Sequence, residues 1–427
     1  MHKDKACVPK STASGAAVDR DMVLERLLDL VNPLEGMPVK LEESHGLRLA
    51  ENVLASMELP PFNQAAMDGF ALQSADTINA SPSSPVFFPV LRDIAAGDVP
   101  GDALASRTSI RLMTGGPLPE KADAVIEFEE IDLESSTGDL VITDEVSRGR
   151  NVRWRGEQVS AGDTIADKGD RLTPARIGFL ASSGIAEVVV RRRPRVVLVV
   201  TGAEIVASGD ARRAEQIFDA LTPMIGGYIR AVGADLVATV RAPDDPVAMQ
   251  SLFTRIVHDE QPDLIVSTAG IALGDRDVVR LALDQHEDVQ FVQLLMKPGR
   301  FLAYGRFAQV PFIGLPGNPI AAAVSFLQFV VPVIRCLTGP NGASAKTFPV
   351  VVARSVGSLT RDPDCDRILC GVLDASNDGQ LEVACVGNQS RQGLRSLAGA
   401  NCLILVRRGS EMIGPGSTVE AMPLPFG

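Results

Sequence analysis

The clearest pattern in the chain is the alternation of short apolar runs with amphipathic stretches between residues 194 and 339. Apolar runs of strand length, bounded by turn residues, are separated by stretches with helical spacing. Strands that alternate with helices indicate βαβ units and a mostly parallel sheet. We therefore predict a multidomain α/β plus β protein whose α/β domain has strands at residues 195–200, 236–241, 263–267, 291–296 and 310–313, a hairpin strand near Ala303, and helices at residues 216–232, 246–258, 277–284 and from 319 onward.

The flanking segments have other patterns. Residues 18–31 and 173–184 carry helical spacing, with Asp19 or Asp21 capping the first helix and Thr173 the second. Residues 86–142 alternate in short runs between Gly and Pro turns, which predicts a small β-rich domain. After Gly339 short strands return, with a hairpin turn at residues 376–380, and predict a separate β-barrel or sandwich. Residues 1–17 lack an apolar signal core and are predicted to be a disordered tail.

Composition narrows the function classes. The net charge of −12 argues against a nucleic-acid partner, so an anionic ligand would need a local positive pocket. None of the six cysteines lies in a C-x-x-C pair, and the four histidines are scattered, which disfavours a zinc site or a disulfide framework. Buried free thiols in a reducing cytosol are the better interpretation of the cysteines, which predicts a cytoplasmic protein. We expect no apolar run of transmembrane length and therefore no membrane partner.

Unusual loops leave the carboxyl ends of the predicted parallel strands, where α/β sheets bind ligands. They supply small residues, hydroxyls and backbone N–H donors, and the MKPGRF turn adds Lys297 and Arg300. Together these groups suit a phosphate or another oxyanion. The ligand-binding residues predicted from these loops are Thr201, Gly202, Ser267, Thr268, Ala269, Gly270, Gly274, Asp275, Pro298, Gly299, Arg300, Pro316, Gly317, Asn318 and Pro319.

The segment FIGLPGNPIAAAVSF gives one of these loops its form. Gly317 permits a tight turn, Asn318 is a good N-cap, and Pro319 suits the first helical position. We expect the free N–H groups of the first helical turn to face the loop, where the helix dipole favours an anion. An ordinary strand-to-helix junction is the alternative.

Carboxylates in the same loops would repel an anion unless they hold a cation. Glu204, Asp244 and Asp277 make sense as ligands of a hydrated Mg²⁺ that bridges carboxylate and phosphate. Each element also has a plain structural explanation. Asp277 and the Asp244–Asp245 pair fit helix caps, and Lys297 fits a solvated strand end.

The motifs, taken in order, resemble the MoeA family of molybdopterin molybdenumtransferases, which includes the matching domain of gephyrin. The set spans nearly all of the chain after the tail and consists of PPFNQAAMDGFAL, IRLMTGGPLP, VRWRGEQVSAGD, VVTGAEI, STAGIALGDRD, MKPGR, GLPGNP and SLAGANCLI. The resemblance implies a linker domain (residues 18–60 and 156–193), an inserted β-rich domain (61–155), a MogA-like α/β domain (194–339) and a C-terminal β-barrel (340–427). It also implies a homodimer, with the active cleft between the MogA-like domain of one subunit and the inserted domain of the other.

The resemblance further implies an activity. The family inserts molybdate into adenylylated molybdopterin, releases AMP and requires Mg²⁺, and a MogA-like adenylyltransferase and molybdoenzyme chaperones are its expected partners. The catalytic positions that it implies are Asp68, Thr114, Glu204, Asp244, Asp277 and Lys297.

Several positions depart from the family pattern, and most of them remove polar groups. Gln293 replaces a lysine, and Arg300 and Phe301 replace Lys-Pro after the Pro-Gly turn. The remaining departures are Asn63, Gln64, Ala65, Ala203, Ala220, Leu221, Ala269 and Ala272. Losing these contacts weakens an anion site, so a divergent relative that binds pterin or nucleotide without catalysis, as a sensor, carrier or scaffold, is the second hypothesis. A nucleotide-processing hydrolase on a MogA-like fold is the third.

Overall fold

The computed structural model describes residues 17–131, 138–272, 277–284, 286, 288–339, 350–387 and 393–425. The predicted disordered tail, apart from residue 17, lies outside these ranges. The helices are α1 Arg20–Asp29, α2 Pro174–Ser182, α3 Leu221–Ala231, α4 Pro246–Arg255, α5 Val278–Leu283, α6 Pro319–Ser325, α7 Val331–Thr338 and α8 Leu394–Ala398. π-helical turns, Ile256–Glu260 and Phe326–Val330, continue α4 and join α6 to α7.

The strands are short in the first half of the chain and longer in the second. They are β1 Gly36–Lys40, β2 Arg48–Leu49, β3 Val53–Leu54, β4 Gln64–Ala65, β5 Gly69–Leu72, β6 Val86–Phe88, β7 Val90–Ile94, β8 Ser109–Leu112, β9 Ala124–Glu127, β10 Leu140–Ile142, β11 Val152–Arg153, β12 Thr164–Ala166, β13 Glu187–Arg191, β14 Arg195–Val200, β15 Ile205–Val206, β16 Ile217–Phe218, β17 Asp235–Arg241, β18 Leu264–Thr268, β19 Val289–Gln293, β20 Met296–Lys297, β21 Phe301–Phe307, β22 Val310–Leu315, β23 Val351–Ser355, β24 Asp366–Ala375, β25 Leu381–Cys385, β26 Cys402–Val406 and β27 Thr418–Pro423.

The chain forms two compact units. The first consists of residues 1–37, 46–50 and 190–427, and the second of residues 38–45 and 51–189. In the first unit a six-stranded sheet has the order β17-β14-β18-β22-β21-β19. Strands β17, β14, β18 and β22 pair in parallel, and β21 and β19 continue the sheet in antiparallel fashion. The predicted mostly parallel sheet is therefore confirmed.

The central strands of this sheet are buried on both faces. Every residue of β18 is buried, as is every residue of β14 after Arg195. Continuous apolar runs are what a parallel sheet covered on both sides requires. Helix α3 begins five residues later than its predicted start at residue 216, because Ile217–Phe218 instead pair with Ile205–Val206.

The strand predicted at residues 291–296 is divided between two sheets. β19 ends at Gln293, where the Leu294 N–H donates to the Arg300 carbonyl at 2.6 Å and closes a hairpin with β21. Met296 and Lys297 then form β20, which pairs in parallel with β24 of the next sheet. Periodicity along the chain does not show that the pairing partner changes within an apolar run.

The C-terminal sheet of the first unit is closed. Its order is β20-β24-β25-β23-β27-β26, and an additional pairing of β24 with β26 makes a barrel of the last five of these strands. Ser376 and Gln380 close the predicted hairpin turn between β24 and β25. The predicted C-terminal barrel is confirmed. Its residues Ile368, Leu403 and Met422 belong to the same apolar cluster as the parallel sheet.

The helix of residues 319–338 corrects one expectation from the sequence. Among the described residues it is long and apolar enough to cross a membrane by length and composition. However, 94% of its most apolar window is buried inside the protein. Phe326, Phe329 and Val330 have no exposed surface and pack in the cluster that joins the sheet to the barrel. The burial accounts for its apolar composition as that of a core helix.

The second unit is β-rich, as predicted. A four-stranded sheet has the order β7-β8-β5-β9, and short two-stranded pairs surround it. Thr173 caps α2 by accepting a hydrogen bond from the Arg176 N–H, which confirms the predicted start of that helix. Ala65, one of the departures from the family pattern, is fully buried in an apolar cluster with Ala71, Ile110 and Leu112. A serine there would have to bury a hydroxyl.

We expect Gly305→Ala to destabilise the protein by about 3 kcal/mol or more, because overpacking against backbone cannot be relieved by rotamer change. A Cβ at Gly305 would lie 1.9 Å from the Asp288 carbonyl oxygen. The matched control is Gly227→Ala in α3, where a Cβ meets nothing within 4 Å, and which should stabilise by about 0.5–1 kcal/mol. Urea unfolding of both variants measures the difference, and equal effects would contradict this account.

Candidate functional site

The strand ends of the parallel sheet are level with one another. Val200 pairs with Thr268, and Thr268 pairs with Leu315, so β14, β18 and β22 finish in one row. The loops that follow these strands therefore start at one edge, as the sequence predicted. Gly274 and Asp275, predicted for the longest of these loops, lie outside the described residues.

The first and third loops contact each other directly. The Thr201 hydroxyl donates to the Thr268 carbonyl oxygen at 3.1 Å, and the Thr201 N–H donates to the same carbonyl. A Cβ at Gly270 would lie 3.4 Å from the Thr201 hydroxyl oxygen, and Gly270 has a φ of +70°. These contacts hold two backbone segments close together at the strand ends.

Arg241 holds the loop after β14 in place through hydrogen bonds. This role was not predicted from the sequence. Its guanidinium Nη2 donates to the carbonyl oxygens of Gly202, at 3.0 Å, and Ile205. The signal was available, because Arg241 is the last residue of β17 and lies at the same edge. At this strand end only Asp244, which follows Arg241 in the sequence, was predicted to belong to the site.

The loop after β18 lies against the loop after β22. Ala269 has a φ of +65°, a conformation that costs an L-residue roughly 1–2 kcal/mol. A Cβ at Gly317 would lie 2.9 Å from the Ala269 Cβ. Because Ala269 occupies that space, position 317 requires glycine.

Asn318 caps the start of α6 and Pro319 is its first residue, as the sequence predicted. Asn318 Oδ1 accepts hydrogen bonds from the N–H groups of Ile320 and Ala321, and Pro319 has no N–H to offer. The N–H of Ala322 bonds to the Asn318 carbonyl. The prediction that the first helical turn offers free N–H groups is therefore wrong, because the cap uses them. Within the part of the chain that the structure describes, no acceptor is bonded to the N–H of Gly317 or Asn318, so these loop amides are the remaining donors.

The turn that carries Lys297 packs directly on α6. Gly299 has a φ of +94°, and a Cβ there would lie 2.7 Å from the Ser325 hydroxyl oxygen. Lys297 and Arg300 are exposed on either side of the turn. Direct contacts thus connect the end of β17 and the loops after β14, β18 and β22, and the Lys297 turn packs on α6, the helix that follows the last of these loops.

The barrel adds groups near Lys297 that the sequence analysis missed. Lys297 pairs with Arg367 through β20 and β24. A hydrogen bond from the Asp364 N–H chiefly holds the pKa of Asp362 below its ordinary value, and the charge of Lys297 contributes to the same shift. Burial chiefly raises the pKa of the neighbouring Cys365 thiol. The signal was weak, because these residues follow Lys297 by more than sixty positions in the sequence.

The predicted carboxylates do not form a ready metal cage. No group of three or more His, Cys, Asp or Glu side chains that could hold a metal ion occurs among the described residues, which include Glu204, Asp244 and Asp277. Glu204 and Asp244 are exposed. Asp245 caps α4 through the Ala248 N–H at 2.7 Å, whereas Asp277 makes no side-chain cap bond to α5. The capped-turn explanation therefore holds for Asp245 and not for Asp277.

Buried hydroxyls without hydrogen-bond partners line these elements. Ser267, Thr268 and Ser325 have no exposed surface, and their hydroxyl oxygens have no partner among the described residues. Leaving such a group unsatisfied costs about 1–3 kcal/mol. The hydroxyls at the carboxyl end of β18 and beneath the Lys297 turn can therefore accept a water or ligand as a hydrogen-bond partner.

Asp68 and Thr114 form a hydrogen-bonded pair in the second compact unit. Asp68 Oδ1 accepts from both the N–H of Thr114, at 2.6 Å, and its hydroxyl, at 2.7 Å. These bonds, the hydroxyl first, lower the pKa of Asp68, and the charge of Arg111 adds to the effect. Both side chains are exposed, so the carboxylate is held in one orientation at the surface.

Family models match most of the chain. The MoeA N-terminal region, domains I and II, matches residues 18–184. A probable molybdopterin-binding domain matches residues 198–336, and the MoeA C-terminal region, domain IV, matches residues 353–424. The matched ranges contain every predicted site residue.

Individual relatives agree with these matches. A protein of Mycobacterium tuberculosis named molybdopterin molybdenumtransferase 2 is 32% identical over 403 residues, which cover 93% of this chain and 97% of that protein. Molybdopterin molybdenumtransferase of Haemophilus influenzae is 28% identical over 94% of this chain and 98% of its own. The crystal structure of a molybdopterin biosynthesis MoeA protein from Pyrococcus horikoshii superposes with a TM-score of 0.77, at 26% identity, over 96% of this chain and 99% of its own.

Thr114→Val should raise the pKa of Asp68 toward its ordinary value of 3.8, because the hydroxyl bond to the carboxylate is lost. The shift remains incomplete, since the Thr114 N–H still donates. A depressed pKa stabilises the folded state above the unfolded pKa, and this contribution disappears as the pH falls through the folded pKa. Carboxyl ¹³C NMR titration measures the value. Thr108→Val, which removes a hydroxyl bonded to the Ala105 carbonyl, should leave the pKa of Asp68 unchanged.

Gly317→Ala should destabilise the protein by about 1–3 kcal/mol through its clash with Ala269. Ala269→Gly removes the clashing methyl group and the strained φ, so the double variant should recover most of the loss. The coupling energy in this double-mutant cycle should reach at least about 0.5 kcal/mol. Urea unfolding provides the values, and strictly additive effects would show that the two residues do not make this contact.

Proposed function

The chain belongs to the MoeA family and has a role in molybdenum cofactor biosynthesis, and from this we propose that it inserts molybdate into adenylylated molybdopterin with release of AMP. The observation that carries the proposal is the surface of contacting loops at the strand ends of the molybdopterin-binding domain. This surface presents exposed cations beside backbone donors in a chain whose net charge is −12.

We propose that the anionic substrate lies along this surface. Lys297 and Arg300 offset the charge of the phosphate groups, and the loop amides of Gly317 and Asn318 donate to their oxygens. Thr201 and Gly270 allow the backbone to approach closely. The protein contributes orientation and charge neutralisation rather than a nucleophile. Molybdate exchanges oxygen ligands, which leave as water, for the dithiolene sulfurs of the substrate. A water molecule attacks the diphosphate, so that AMP leaves and the pterin keeps one phosphate.

Mg²⁺ remains part of the proposal in a changed form. The residues do not fit a preformed cage of three carboxylates. Mg²⁺ is usually held by one or two carboxylates together with substrate phosphates and water, so Glu204, Asp244 and Asp277 are candidates for single ligands to an ion that the substrate brings. Such an ion would neutralise phosphate charge. The proposed contacts of Lys297, Arg300 and the loop amides with the substrate do not depend on it.

The role of Asp68, the oligomeric state, the partners and the location of the protein are proposals as well. We propose that Asp68, fixed by Thr114, acts in the same reaction, as the resemblance implies. A homodimer and a MogA-like adenylyltransferase and molybdoenzyme chaperones as partners are proposed from the same resemblance, and a cytoplasmic location is proposed from the composition.

Release of AMP from adenylylated molybdopterin, measured in the presence of molybdate and Mg²⁺, tests the function. The wild type should release AMP, and Lys297→Ala should lower kcat/KM by about 10- to 100-fold, as expected when a charge-assisted contact is lost. Lys168→Ala, at an exposed lysine of the second unit, is the control and should behave as wild type. Binding of the substrate without AMP release would instead support the non-catalytic binder.

A further inference from the structure

Gln293 and Arg300 lie at the base of the hairpin that carries Lys297. Gln293 is the last residue of β19 and pairs with Phe301, the first residue of β21. The bond from the Leu294 N–H to the Arg300 carbonyl closes the hairpin just inside that pair. The backbone therefore fixes both side chains beside the Lys297 turn.

The two side chains are hydrogen-bonded to each other. With the amide oriented to satisfy its surroundings, Gln293 Oε1 accepts from both Nε and Nη2 of Arg300. A guanidinium has five N–H donors, so about three remain for a ligand. Gln293 is half-buried, whereas Arg300 is exposed.

The hydrogen-bond partner of Arg300 is the neutral amide of Gln293, and this determines how the pair can bind a ligand. No carboxylate lies within ion-pair distance of Arg300 among the described residues. An amide oxygen orients the guanidinium without cancelling its charge. A planar guanidinium held in this way can make a bidentate contact to an oxyanion, which an ammonium group cannot.

We infer that Gln293 is a positioning residue, which holds the Arg300 guanidinium for a bidentate contact with the diphosphate of an anionic substrate. The inference rests on the proposed function, since adenylylated molybdopterin contains such a diphosphate. It also revises the sequence interpretation, in which Gln293 only removed a positive charge. In this chain the departures at positions 293 and 300 compensate each other. A lysine at position 293 would repel Arg300 and leave it unanchored.

A double-mutant cycle tests the pairing with inorganic pyrophosphate as the probe, measured by isothermal titration calorimetry. Gln293→Leu and Arg300→Met should each raise the Kd about tenfold, and the double variant should be no worse than Arg300→Met alone. Gln293→Glu keeps the acceptor but cancels the charge, so it should weaken binding more than Gln293→Leu. Additive losses, or a wild type that does not bind pyrophosphate, would overturn the inference.

The matched control is Gln290→Leu, on the same strand. Gln290 Oε1 accepts a hydrogen bond from the Tyr304 hydroxyl at 2.8 Å, so this variant also loses one half-buried amide contact. It should leave pyrophosphate binding unchanged. Urea midpoints of all variants confirm that they are folded.

NMR of the arginine Nε–H groups gives a readout that does not depend on binding. The Arg300 signal, assigned by its loss in Arg300→Met, should exchange slowly in wild type and in Gln290→Leu, and fast in Gln293→Leu. An unchanged signal in Gln293→Leu would overturn the inference. If AMP release fails while the cycle and the NMR result hold, the transferase proposal is refuted and the positioning role stands.

Discussion

The level ends of β14, β18 and β22 are the constraint on which the rest of the site depends. Parallel hydrogen bonding fixes the register of these strands, and burial on both faces prevents a slip, because a slip would move every apolar side chain. Once the strands end in one row, their loops have to meet. The contacts of Thr201 with Thr268 and of Ala269 with Gly317 are consequences of that register.

The loops contact one another through small residues and backbone rather than through ion pairs. Lys297 and Arg300 form no ion pair among the described residues, although Asp362 lies close enough to Lys297 for the lysine charge to lower the pKa of that carboxyl. A protein with an excess of acidic residues can bind an anion only where its cations are kept apart from that excess. Neutral partners such as the Gln293 amide provide rigidity without reducing the local charge.

Much of the fold could be predicted from the sequence, because local rules agree with the tertiary structure there. β14 has its predicted bounds, and the caps at Asp19 and Thr173 follow from side-chain chemistry within a few residues. The loops after β14, β18 and β22 were found because each leaves a mostly buried apolar strand.

Features that depend on a partner elsewhere in the chain could not be predicted from the sequence. The change of sheet between β19 and β20 requires β24, which is remote in sequence. The Asn318 side chain uses the helix-start donors that composition alone counted as free. The contact of Gln293 with Arg300 crosses the base of a hairpin, which no linear spacing encodes, whereas the place of Arg241 at the end of β17 could have been noticed. The two residue-level misses concern which group satisfies a donor or acceptor, whereas β16 and the division between β19 and β20 are elements that the sequence did not predict.

The buried helix of residues 319–338 is synthesised before the part of the protein that covers it. It leaves the ribosome before Ile368, Leu403 and Met422, the barrel residues that share its apolar cluster. During that interval part of a 20-residue segment with the length and composition of a membrane span lacks its cover. The barrel therefore covers this part of the α/β core last. Newly made chains that end before β26 leave apolar surface exposed and are prone to aggregation or to binding by chaperones.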